Sequence, residues 1–434
     1  MSTYLLTCTP AHGHLSALLT VARHLRTQGH RVRMLTSVRY AERVRAADVE
    51  FLPLPPDADI DLDRPDDAFP ERRGLRGPAA IRFDMIHLFL RPAAQQYAAL
   101  TSALAEVPTD VVLTEPLFVA AALLNELPRD ARPAIVALGI FPLGTKSRDT
   151  APFGLGIPPL PGVVGRARNS ILTVVAEKGV FRPVVKEADA VARATIGLPL
   201  SRFFLDWAAG ADALVQFSAQ EFEYPRSDLP ASVHFVGPLP PSVPHVDVPE
   251  WWNDLDETRP IVHVTQGTIA TDDFSQLVAP TLAALAGEDV TVVVSTGGRP
   301  LSALPPLPAN ARAAAYLPYA VLLPRTSVLV TNGGYGGVQQ AVGHGIPVVV
   351  AGQTEDKVEV SARVGWSGAG INLKTNRPTP EAVRLAVRSV LADPTFRARA
   401  QELAARFAHT DALAGLDGVL HSLSPRFRRS EEVR

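Results

Sequence analysis

One cysteine, Cys8, stands among 434 residues, so no intramolecular disulfide can staple this chain. It sits in an apolar, strand-like run, where a thiol is expected to be buried and inert. No stretch approaches the roughly 18 uninterrupted apolar residues of a membrane span, and the apolar start over residues 4–8 is too short for a secretory leader. Neither charge is in surplus: 42 Lys and Arg against 44 Asp and Glu leave a formal net charge of −2, which offers no basic field to a nucleic acid. His12 and His14 form a His-x-His pair without further ligands nearby, so no metal site is expected. These absences predict a cytoplasmic protein in a reducing compartment, acting on small molecules, without membrane or nucleic-acid partners. As a chain it is expected to be a monomer or a homodimer.

With 47% hydrophobic and 20% charged residues, the chain is ordinary globular material and long enough for two full cores. Its most informative stretch is VLVTNGGYGGVQQAVGHGIPVVVAG over 328–352, which reads as strand, glycine turn, short helix and second strand. Asn332, Gly333 and Gly334 let the backbone turn sharply and leave the first turn of the helix with bare amides. Such a helix start, with its positive macrodipole end, suits a phosphate or diphosphate. The dinucleotide fingerprint fits less well, because the sixth position after Gly334 and Gly336 is Gln339 and no acidic residue closes the next strand. A plain α/β turn, with the glycines serving close packing, is the competing reading.

A similar unit opens the chain. A strand over 4–8 leads into a polar turn at 9–14, a helix with apolar residues at Leu15, Leu18, Leu19, Ala22 and Leu25, and a strand over 31–35. His14 lies at the strand-to-helix turn, facing the cleft of an open α/β sheet, and its ordinary pKa suits a base at neutral pH. Glu115 follows a strand over 110–114 and is a candidate to orient that imidazole.

These two stretches resemble the paired signatures of the family 1 glycosyltransferases, the UDP-glycosyltransferase superfamily. The family's N-terminal pattern G-H-x-x-P-x-L…L-x-x-x-G-H-x-V is met by Gly13, His14, Leu18, Gly29, His30 and Val32, with Ala17 where proline is usual. Its donor signature H-x-G-x-x-S, followed by an acid, G-x-P and Asp-Gln, is met by Asn332, Gly334, Gly337, Gln340, Gly345, Pro347, Asp356 and Lys357. The frame is kept and four polar positions depart. The resemblance implies an α/β chain of the GT-B fold, two facing Rossmann-like domains with a cleft between them. The expected division is 1–237 for the acceptor, a linker over 238–250, 251–410 for the nucleotide-sugar, and 411–434 crossing back and ending in a tail.

The resemblance further implies an inverting transfer from a UDP- or dTDP-sugar to a hydrophobic natural-product aglycone, as in antibiotic biosynthesis. His14 would be the general base and Glu115, where the family has Asp, its partner; Gly13 and His12 would lie on the acceptor side. On the donor side stand Thr268, Tyr316 and Leu317 in the place of the W-x-P-Q motif, Asn332, Gly333, Gly334, Gly336, Gly337, Gln340, Asp356 and Lys357. No cofactor is implied beyond the nucleotide-sugar co-substrate, and the helix start would replace a metal as charge stabiliser. Acceptor-shaping loops are expected over 53–78 and 146–164. Two alternatives stay open: an auxiliary protein that binds a nucleotide-sugar without turnover, motivated by Asn332, Gln340 and Lys357, and a nucleotide-sugar epimerase on the same fold.

Overall fold

Residues alternate between two buried faces along the central strands of this chain. In the strand Thr3–Thr7, Tyr4 and Leu6 enter one apolar cluster while Leu5 enters another; in Thr326–Thr331, Val328 and Val330 go one way and Leu329 the other. A strand buried on both faces belongs in a parallel sheet covered by helices on each side. The computed structural model describes residues 1–241, 247–256, 258–267 and 273–423, and it contains two such sheets.

The first sheet is built from β1 (Thr3–Thr7), β2 (Arg31–Thr36), β3 (Glu50–Pro53), β4 (Val111–Thr114), β5 (Ala134–Gly139), β6 (Ala213–Gln216) and β7 (Val233–Phe235), ordered β3-β2-β1-β4-β5-β6-β7. The second is built from β8 (Ile261–Thr265), β9 (Thr291–Ser295), β10 (Ala311–Ala314), β11 (Thr326–Thr331), β12 (Val348–Val350) and β13 (Gly370–Asn372), ordered β10-β9-β8-β11-β12-β13. Every pairing is parallel, including β1 with β4 and β8 with β11. In each sheet the winding reverses direction beside its first strand, and the loops leaving the two strands there part to form a crevice at their carboxyl ends. The fold is therefore a pair of Rossmann-like α/β units.

The last described helix, Ala412–Leu423, packs back on the first unit: Ala412, Leu416, Val419 and Leu420 join the cluster of β1 and the first helix. Asp417 accepts from His24 Nε2 at 2.9 Å and Gln28 Nε2 at 2.6 Å.

The structure departs from the sequence pattern in several places. The first helix spans His12–Thr27, so it begins before Leu15 and takes His14 into its first turn. Residues 53–78 are not plain loop; short helical turns at Pro56–Ala58, Pro65–Ala68 and Pro70–Gly74 each begin on a proline, whose fixed φ suits a first helical position. The irregular stretch from 146 ends earlier than 164, at the helix Gly162–Val174. Strand β13 and the helix Lys357–Ser367 carry no strong periodic signal and were not anticipated.

Candidate active site

The winding of the first sheet sets β1 beside β4 and thereby brings the turn after Thr7 against the end of Thr114. His14 leaves the first helix turn here, with Nδ1 3.0 Å from Thr9 Oγ1 and 3.4 Å from Glu115 Oε2. Glu115 is fully buried, and the backbone N–H groups of Thr9 and Leu117 donate to its two oxygens at 3.1 and 2.7 Å. Those bonds hold the carboxylate in one orientation. Its burial alone would raise its pKa, yet the charge and hydrogen bond of His14 and the N–H donors pull it below the usual range. For His14, burial lowers the pKa, but Glu115, with help from Asp356 and Asp63, outweighs it and the net shift is upward. An imidazole with Nδ1–H toward Glu115 keeps its lone pair on Nε2, and 22% of the side chain is open to solvent.

Phe141, just past β5, lies beside this imidazole with ring centroids 6.2 Å apart. His12 is engaged differently: its Nδ1 accepts from Arg43 Nη1 at 3.0 Å, its backbone N–H donates to Asp63 at 3.2 Å, and burial with Arg43 lowers its pKa. Gly13 is exposed, and a Cβ there would meet nothing within 4 Å.

The second crevice opens between β8 and β11. Gln266, Asn332, Gly352, Thr354, Lys357 and Asn376 line an open depression there. Gly333 takes φ +91°, turning the chain out of β11, and the helix Tyr335–Gly343 starts after Gly334 with no side-chain cap. Added Cβ atoms at Gly334, Gly336 or Gly337 would meet nothing within 4 Å, so the glycine face of the first turn stands clear of other protein groups, while Tyr335 and Val338 are buried on the opposite side. Asn332 is buried, and its Nδ2 donates to the Gln266 carbonyl at 2.6 Å; this amide ties the two crevice strands together. Gln340 is half-buried on the same helix.

Asp356 and Lys357 begin the helix Lys357–Ser367 at the rim of the depression. Lys357 Nζ is ion-paired with Glu355 and its side chain is only 12% exposed. Burial would lower its pKa, but Glu355 and Asp356 raise it, so it stays an ammonium. Burial raises the pKa of Asp356, opposed by Lys357 and by His14 across the cleft. Leu317 is buried in a small apolar cluster, whereas Tyr316 is half exposed beside Gly298. Thr268 lies outside the described residues. Among the described residues, no three His, Cys, Asp or Glu side chains gather into a group able to hold a metal, and no helix is long and apolar enough to cross a membrane. His263 is fully buried between Val293 O and Tyr319 OH, and burial pushes it down to about 4.

Sequence reasoning passed over Thr9, Gln266 and Phe141. Thr9 and Gln266 each follow a strand at a reversal of winding, a position visible only once strand order is known. Phe141 carried no motif at all.

Residues 279–412 match the family model of the erythromycin biosynthesis protein CIII-like C-terminal domain. Over 424 residues the chain is 41% identical to the 4'-demethylrebeccamycin synthase of Lentzea aerocolonigenes, covering 96% of this chain and 99% of that one. It is 34% identical over 440 residues to UDP-glycosyltransferase 2 of Phaeomoniella chlamydospora, covering 97% and 95%. In fold it is similar to the glycotransferase of kitacinnamycin, with TM-score 0.71 at 20% identity and coverage of 98% and 99%. It is similar also to the glycosyltransferase VinC in complex with DTDP, with TM-score 0.67 at 19% identity and coverage of 98% and 100%.

Proposed function

The chain belongs to the family 1 glycosyltransferases of GT-B fold and natural-product type, and from that premise we propose an inverting transfer of a sugar from a UDP- or dTDP-sugar to a hydroxyl of a hydrophobic aglycone. In this reading residues 1–237 receive the acceptor, 251–410 the nucleotide-sugar, and the helix Ala412–Leu423 crosses back. The observation that carries it is the pair His14 and Glu115, 3.4 Å apart, in the first crevice, with the Asp356 charge of the second unit also favouring the protonated imidazole.

The acceptor O–H gives its proton to His14 Nε2 while its oxygen attacks the anomeric carbon. The bond from that carbon to the diphosphate oxygen breaks, and its electron pair leaves with the nucleotide. Glu115 stabilises the imidazolium that forms. The amides at the start of Tyr335–Gly343 and the helix dipole meet the charge that builds on the diphosphate. Asp356 and Lys357 orient the sugar, with Gln340 near the ribose and Tyr316 beside the base. A relative in complex with DTDP makes a thymidine nucleotide a reasonable donor beside a uridine one.

The test is to incubate the purified protein with UDP- and dTDP-sugars and a panel of phenolic and polyketide aglycones, and to analyse products by mass and by anomeric configuration. A glycosylated aglycone with inverted configuration, formed far more slowly with His14→Ala, is the expected result. Binding without turnover on any acceptor would favour the auxiliary reading, and release of an altered sugar without acceptor would favour an epimerase.

A further inference from the structure

A buried ionic cluster joins the two units beside the cleft, and its charged members, Glu223, Glu359 and Arg363, are none of the residues assigned above to chemistry. Arg363, on the helix Lys357–Ser367, donates from Nε to Glu223 Oε2 at 2.8 Å and from Nη1 to Glu359 Oε2 at 2.9 Å. All three side chains are at most 5% exposed. A buried charge must be paired and its remaining valences met, and here they are. Tyr335 OH donates to Glu223 Oε1 at 2.8 Å, and the Leu143 N–H donates to the same oxygen at 3.2 Å.

The second oxygen of Glu359 reaches out of this cluster. Glu359 Oε1 accepts the backbone N–H groups of Gly154 and Gly156, at 2.8 and 2.9 Å. Both belong to the irregular chain that follows β5 in the other unit. The approach is close: a Cβ at Gly156, whose φ is +60°, would sit 2.7 Å from Val358 Cγ2 and 3.0 Å from Val358 O. Next to this clamp, Phe153 packs on Gly144 and lies 6.1 Å from Phe141, which in turn lies 6.2 Å from His14. One helix thus carries Asp356 and Lys357 at its start and, still in its first turn, the carboxylate that holds the chain bearing Phe153.

We infer that Glu359 is a positioning residue: by clamping Gly154 and Gly156 to the donor unit, it sets the Phe153–Phe141 wall against His14 and so fixes where a hydrophobic acceptor lies and keeps water from the sugar. The inference rests on the transferase reading and deepens it. Its occupant is the apolar body of the acceptor, recognised by two aromatic rings, with the reacting hydroxyl left to His14. The donor site keeps its own contacts, so nucleotide affinity is independent of the clamp.

The experiment compares wild type, Glu359→Ala, Glu359→Gln and Gly156→Ala for acceptor KM at saturating donor, for nucleoside diphosphate Kd, and for the fraction of donor lost to water. Hydrogen exchange is measured on the segment 142–156. Glu359→Ala is expected to raise acceptor KM about tenfold, to raise the hydrolysed fraction several-fold, to speed exchange in 142–156 and to leave Kd within twofold. Glu359→Gln keeps one oxygen able to accept both amides but gives up the acceptor that faces Arg363 Nη1, so it should recover part of the acceptor KM, with a value between those of wild type and Glu359→Ala. Gly156→Ala leaves the ionic cluster intact, so it carries the test if Glu359→Ala does not fold, and it should reproduce the KM and hydrolysis effects. Faster exchange with unchanged acceptor KM and hydrolysis would overturn the positioning role, as would unchanged exchange in both the Glu359→Ala and Gly156→Ala proteins. A wild type that transfers to no acceptor would instead sink the transferase reading, and exchange would still report whether Glu359 holds the segment.

Discussion

His14 Nδ1 lies 3.4 Å from Glu115 Oε2, while Thr9 donates its backbone N–H to Glu115 and brings its hydroxyl to the same imidazole nitrogen. Glu115 thus has the two properties an orienting acid needs: it is ionised, and it is held by backbone groups that do not move with the imidazole. Its extra methylene, compared with the aspartate usual in the family, is accommodated by the Thr9 and Leu117 amides, which bind one oxygen each.

Replacing His14 with alanine should lower kcat by about 10²–10⁴-fold, the usual worth of a positioned base. Nucleotide affinity, measured by calorimetry, should stay within about twofold, since base removal leaves every donor contact intact. Full activity on a hydroxyl acceptor would remove His14 from the mechanism.

The pH profile should report the Glu115 charge. A general base works in its neutral form, so activity rises as pH climbs through the pKa of His14, which Glu115 holds above its ordinary value. In Glu115→Gln the charge is gone and burial still lowers the pKa, so the acidic limb of kcat/KM should move to lower pH. The plateau should fall at the same time, because the imidazolium loses its counter-charge. A limb that stays in place would show that another group sets the profile.

Turnover should survive exhaustive treatment with EDTA. Among the described residues no metal-binding group forms, and the two carboxylates that flank Lys357 at the depression, Glu355 and Asp356, already face its ammonium. A strict requirement for Mg²⁺ or Mn²⁺ would contradict the charge-stabilising role given to the helix start.

Lys357→Gln should change the ratio of kcat/KM values for two donors that differ only in sugar hydroxyls. An ammonium only donates hydrogen bonds, whereas an amide donates and accepts, and one such bond is worth about 1 kcal/mol. Affinity for the nucleotide alone should be unchanged. If the ratio stays constant, and Asp356→Ala is also silent, the sugar is held elsewhere.

Gly333→Ala should destabilise the second unit by about 1–3 kcal/mol, the range for a residue forced into a strained backbone region. Its φ is +91°, and the new Cβ would lie 2.9 Å from Val350 Cγ2 and 3.2 Å from Ser361 Oγ. Denaturant unfolding measures this; a stability equal to wild type would mean that the turn after β11 relaxes freely.

Local patterning by itself determined the α/β class, most of the strands and the two strand–turn–helix units, because periodicity, glycine turns and β-branched runs act over a few residues. It also brought His14, Glu115 and the Gly333–Gly334 turn to notice, since each sits at the end of a recognisable strand. Strand order was decided only by the tertiary structure. The family resemblance named Glu115 as the partner of His14, but only the strand order sets β1 beside β4 and so brings the two together, and only it sets β8 beside β11, so that the Asn332 amide is held by Gln266. The Glu223–Arg363–Glu359 cluster and the Gly154 and Gly156 clamp were hidden for the same reason. Lone charged residues and loop glycines carry no periodic signal; Glu359 and Arg363 stand four apart on one helix, but Glu223, Gly154 and Gly156 lie on the other half of the chain. Only packing the two units together removes those charges from water, and that burial is what forces them to find one another.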